Sequence, residues 1–186
     1  MDGNKSVTAG FAIDTHTLQV NVVGGGTVAK SPDLPAYDYG TNVTLTPTPS
    51  PGYQFAGWSG DAGSSTQPLT VSMTTDKVIT ATFTLKTYTL STAVIGGGAV
   101  IKNPNLATYT HGTSVTLTAT PAAGYVFSGW SGDTTTTANP ISFVMTANKS
   151  VTATFTIKTY TVNVTASGNG AVARTRTRRP TITAPA

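Results

Sequence analysis

The chain has 186 residues and a formal charge of +4, from eleven basic against seven acidic side chains. All four arginines (Arg174, Arg176, Arg178 and Arg179) fall in the last thirteen residues, while residues 1–173 set seven Lys against seven Asp with no Glu, so the body is neutral and offers no nucleic acid a basic face. Only 10% of residues are charged, which excludes a charge-laced coiled coil and a polyelectrolyte, and Thr at 39 positions favours strands because its branched Cβ is stiff at χ1.

In chain order, the opening MDGNKSVTAGF has no apolar stretch of the kind a secretory signal needs. His16, Leu18, Val20 and Val22 then alternate with polar residues at period 2, the mark of a half-buried strand. Gly24-Gly25-Gly26 reads as a turn, and a short strand follows through Val28 to Lys30. Residues 31–40 hold two prolines and read as a loop. Val43 to Thr46 resumes the alternation, which Pro47, Pro49 and Pro51 are expected to stop. Tyr53 and Phe55 begin a strand that runs into Gly57-Trp58-Ser59-Gly60-Asp61, and residues 62–67 form an exposed loop. Leu69, Val71 and Met73 make a fifth strand. The sixth has Ile79, Ala81, Phe83 and Leu85 inward and Thr80, Thr82 and Thr84 outward. No segment has 3.6-residue periodicity, so the fold class is all-β, a small mostly antiparallel unit of about six short strands.

The unit repeats with a period of 72: Trp58 and Trp130, Phe11, Phe83 and Phe155, and Met1, Met73 and Met145 all obey it. Residues 15–86 and 87–158 share 38 identities over 72 positions without a gap. This predicts two full repeats at those bounds, with 1–14 as the closing strand of a preceding repeat and 159–173 as the opening hairpin of a third. Met1 aligns inside a repeat, so the chain is expected to be a fragment of a longer array. Residues 174–186 leave the pattern and are expected to be a disordered basic tail, a frame-shifted or truncated end. The passage from Phe83 to Tyr88 contains neither Gly nor Pro, unlike a flexible linker, and predicts tightly coupled units. A 72-residue unit is also near the lower size limit for a self-sufficient core.

GGGTV (24–28), YGTNVTLTPTPSPGYQFAGWSGD (39–61) and KVITATF (77–83), repeated as GGGAV (96–100), HGTSVTLTATPAAGYVFSGWSGD (111–133) and KSVTATF (149–155), resemble the divergent internalin-B B-repeat family of bacterial surface proteins over residues 1–173. The resemblance implies a β-grasp-like unit, an extracellular or surface-attached setting, a spacer or adhesive role and no catalysis.

The inventory of reactive groups supports no catalytic residue, cofactor or metal site. There is no Cys. His16 aligns with Tyr88, and His111 with Tyr39, so a triad or metal site on either histidine would exist in one unit only; each is better read as filling a half-buried aromatic slot. The Ser of GWSGD lacks the glycine two places on that a nucleophile elbow needs. Four residues remain as ligand candidates. Trp58 and Trp130 would stack on sugars if exposed, or else centre the cores. Asp61 and Asp133 would contribute to a cation site, or else fix a turn. The expected function is a non-enzymatic stiff spacer, stalk or adhesion segment, with a carbohydrate-binding module or an accessory region of a secreted hydrolase as the alternative. The sequence names no partner; a polysaccharide or protein of a cell wall or host surface is the class left open, with neither nucleic acid nor membrane insertion expected.

Overall fold

Each repeat carries two three-stranded sheets whose inward residues share one core. The computed structural model describes residues 3–165 and 167–170. The first unit comprises β1 (Thr15–His16), β2 (Leu18–Val23), β3 (Gly26–Ser31), β4 (Tyr37–Asp38), β5 (Thr41–Pro49), β6 (Tyr53–Gly60), β7 (Leu69–Met73) and β8 (Lys77–Leu85). The second repeats them as β9 (Thr87–Tyr88), β10 (Leu90–Ile95), β11 (Gly98–Asn103), β12 (Tyr109–Thr110), β13 (Ser114–Pro121), β14 (Tyr125–Gly132), β15 (Ile141–Val144) and β16 (Lys149–Ile157). Among the described residues no segment is helical, and no helix is long and apolar enough to cross a membrane.

In the first unit one sheet has the order β2-β8-β6 and the other β3-β5-β7. All pairings are antiparallel except β2 with β8, which run parallel from Leu18↔Lys77 to Val23↔Thr82. Ile79, Ala81 and Phe83 of β8 meet Val43 and Leu45 of β5 and Val71 and Met73 of β7 in the core. The alternation in the sequence thus selects the buried face of each strand. The second unit has the same order and the equivalent parallel pair, Leu90↔Lys149 to Ile95↔Thr154.

Three local features differ from the sequence reading. The stretch read as a loop contains β4, because Tyr37 turns into the core at 1% exposure and its hydroxyl donates to Pro32 O, while β1 pairs with it. Each unit therefore has eight strands, two of them only two residues long. Secondly, Pro47 and Pro49 do not stop β5; they pair with Val28 and Gly26 of β3. Pairing with β7 ends at Leu45, so this part of β5 has a free edge, where a residue without an N–H is tolerated. The second unit has Ala119 in place of Pro47, and there the Asn139 side chain completes the edge, accepting from Ala119 N at 2.8 Å and donating to Ala119 O at 2.7 Å.

The third feature is a bulge. In β6 the register with β8 shifts between Phe55 and Gly57, leaving Ala56 unpaired. Without it, period 2 would send Phe55 and residue 57 inward and Trp58 out to solvent. With it, Trp58 pairs with Ala81 and turns inward. Gly57 makes the shift at φ 150°, which an L side chain rarely adopts. β14 repeats the device with Gly129 and Trp130.

Residues 3–14 carry no strand and are exposed, with Phe11 at 96%. Residues 158–165 likewise carry no strand. The expected end of the opening hairpin and the basic tail lie outside the described residues.

Candidate functional site

The bulges place both indoles inside the units. Trp58 is 5% exposed and Trp130 3%. Each ring lies against a Phe, Phe55 at 5.0 Å and Phe127 at 5.2 Å between centroids. Each Nε1 donates to a loop carbonyl, Thr66 O at 3.0 Å and Ala138 O at 2.9 Å. A buried indole with its N–H satisfied anchors a core. It also ties down the variable loop, since Trp58 N and Ser64 N exchange backbone bonds with the opposing carbonyls. In this arrangement neither ring presents a face to solvent.

Asp61 and Asp133 occupy equivalent positions just past β6 and β14. Asp61 Oδ2 accepts from Val78 N at 2.7 Å, and Asp61 N donates to Val78 O at 3.0 Å. Asp133 does the same with Ser150, at 2.6 and 3.0 Å. Each aspartate therefore fastens the end of one strand to the start of its neighbour, 17 residues further on.

The start of β8 is fastened on its other side by a residue the sequence reading passed over. Asp76 Oδ1 accepts from Thr17 N at 2.6 Å and from Thr17 Oγ1 at 3.0 Å, and Lys77 N donates to Thr17 O at 2.9 Å. These bonds, from the Thr17 amide first and its hydroxyl second, hold the Asp76 carboxyl below its usual 3.8. In the second unit Asn148 Oδ1 accepts from Thr89 N at 2.9 Å. Asp and Asn both supply an acceptor oxygen, so the change from Asp76 to Asn148 hid a shared role. The start of the central strand of each unit is thus held from both sides, by Asp61 or Asp133 bonding to it and by Asp76 or Asn148, just before it, reaching across to Thr17 or Thr89.

The units meet at Lys86. Its N–H donates to Gly52 O in the β5–β6 turn of the first unit at 2.9 Å, and its carbonyl accepts from His111 N of the second at 2.8 Å. The half-buried His111 ring packs directly over Gly52, where a Cβ would overlap its Cδ2. The outer ends keep half of this arrangement each: Tyr39 N donates to Asp14 O at 2.9 Å, and Lys158 N to Gly124 O at 2.8 Å.

The two histidines fall in equivalent places after all, through an exchange. In the first unit His16 on β1 faces Tyr39 after β4; in the second Tyr88 on β9 faces His111 after β12, each pair 6.0 Å apart. Tyr88 Oη lies 3.4 Å from His111 Nδ1. Each unit therefore pairs one His with one Tyr at the same place; His16, Tyr88 and His111 are half-buried there, while Tyr39 is exposed. Among the described residues no three of the His, Asp and Glu side chains gather as a metal site would need. With the body neutral, Asp61, Asp76 and Asp133 engaged with backbone amides and both indoles in cores, the joint and the strand fastenings stand as the organised features.

Comparison with curated proteins gives no match, and neither does comparison with solved structures. A family model described as the divergent InlB B-repeat domain matches twice in tandem, over residues 16–87 and 88–159, one residue from the bounds the internal period defines. Those matches cover more than half of the chain, which belongs to the divergent InlB B-repeat family.

Proposed function

We infer that the chain is a non-enzymatic structural segment of an extracellular or surface-attached bacterial protein, a stiff spacer that holds other parts of that protein at a distance. The observation that supports this most is the joint at Lys86. The connecting residue bonds to both units, and its neighbours carry no Gly or Pro that would loosen it. Family membership supports the surface setting. The outward Thr80, Thr82 and Thr84 and the shortage of charge suit a surface that stays solvated while offering few strong contacts. Any adhesion then belongs to a polysaccharide or protein of the cell wall or host surface, met weakly and many times along an array.

Small-angle scattering from one, two and three linked units tests the spacer. Maximum dimension is expected to rise by an equal increment with each unit. A dimension that grows as a compact globule's does would overturn the reading.

A further inference from the structure

We propose that each unit is a tension-bearing element, loaded in shear when the chain is pulled along its length; this rests on the spacer reading for its setting. Each unit has one parallel pair, β2 with β8 in the first and β10 with β16 in the second. Chain enters at the start of β2 and leaves at the end of β8, and these two strands are neighbours in the same sheet. Because they run parallel, Leu18 lies beside Lys77 and Val23 beside Thr82. Tension along the chain pulls the start of β2 one way and the end of β8 the other. The strands must then slide past each other, so the evenly spaced bonds of the parallel ladder share the load and break together. Antiparallel neighbours pulled from adjoining ends would open one bond at a time.

The side-chain fastenings sit where that load enters. Asp76 takes two bonds from Thr17, one residue before β2, and Lys77 N adds a third. Asn148 and Lys149 repeat the arrangement at Thr89. On the far side of β8, Asp61 fixes the end of β6 to Val78, and β6 then follows β8 antiparallel as far as Leu85. The central strand is therefore gripped on both edges from its first residues. Compact folding alone does not require the entry and exit strands to be adjacent, parallel and pinned at the loaded end; bearing tension does.

The test is single-molecule pulling of the whole chain between handle domains, along two axes. Pulled from its ends, the chain is expected to open in two events, each releasing about 250 Å of extended chain less the folded span. Chain without Cys allows a second axis through Val23→Cys and Lys86→Cys, which places both attachments at the same end of the β2/β8 pair. Force applied there unzips the pair. The first unit is expected to open at a force several-fold lower than in end-to-end pulling. Asp76→Ala should lower the end-to-end force of the first unit and leave its unzipping force unchanged, because Asp76 lies at the opposite end of the ladder. Equal forces along the two axes would overturn the proposal even if scattering gives an extended chain. A several-fold difference would uphold it even if scattering gives a bent one.

Discussion

His111 of the second unit lies over Gly52 of the first, so closely that a methyl group on Gly52 would overlap the imidazole. The equivalent Gly124 has the same φ of 81° but open space around it. Alanine at either position carries the strain of a positive φ, on the order of 1 kcal/mol. Only Gly52→Ala also pushes the two units apart. Thermal melts should show Gly52→Ala to be the more destabilising, and the difference between the variants should disappear when each unit is studied alone.

The pH dependence of the first unit follows from Asp76. Its carboxyl is depressed below 3.8 because the Thr17 amide and hydroxyl favour the ionised form. A group whose folded value is depressed contributes stability that is present in full above the unfolded value and is lost as pH falls through the folded one. The first unit should therefore lose stability below about pH 3.8, and Asp76→Asn should remove that part of the loss. The second unit already has Asn148 and should be less sensitive in the same window. Melting each unit separately between pH 2 and 5 checks both statements.

Gly57 and Gly129 make the bulges that bury the tryptophans. Gly57→Ala forces an L side chain to φ 150° at about 1–3 kcal/mol, and Gly129→Ala should behave alike at 154°. Fluorescence distinguishes the proposed consequence from general loosening. Either variant should shift the emission of its own indole to the red and raise its quenching by acrylamide, with the other indole unchanged.

Asn139 acts as a side-chain rung on the free edge of β13. Removing it leaves Ala119 N and O without that partner, so Asn139→Ala should cost about 1–3 kcal/mol in the second unit. In the first unit Gln67 aligns with Asn139 and Pro47 with Ala119, and Pro47 has no N–H to satisfy, so Gln67→Ala should be near neutral there. Chemical denaturation of the two variants is the comparison.

Alternation made most of the architecture legible. Leu18 and Val20, Val43 and Leu45, and Ile79, Ala81 and Phe83 all face the core as period 2 requires. Where geometry departs from a simple period, the sequence was silent. The parity change at Ala56 depends on one unpaired residue in a strand, and the continuation of β5 through Pro47 depends on β7 having already ended. Strands β1 and β4 are too short to show a period at all. The fastening at Thr17 was hidden because Asp76 and Asn148 differ in name while sharing an acceptor oxygen. The His and Tyr exchange was hidden for the opposite reason: alignment compares His16 with Tyr88, whereas the space it shares is with Tyr39. The joint itself rests on backbone bonds of Lys86, to which side-chain pattern gives no access.

Stiffness at that joint carries the account, and a chain without Cys allows a direct measurement of it. Ser59 and Ser131 are exposed and equivalent in the two units, so Ser59→Cys with Ser131→Cys takes one spin label on each. Dipolar spectroscopy should give a single narrow distance distribution, broadened when Lys86→Pro removes the N–H that donates to Gly52. A broad distribution in the unaltered chain, unchanged by Lys86→Pro, would contradict the account.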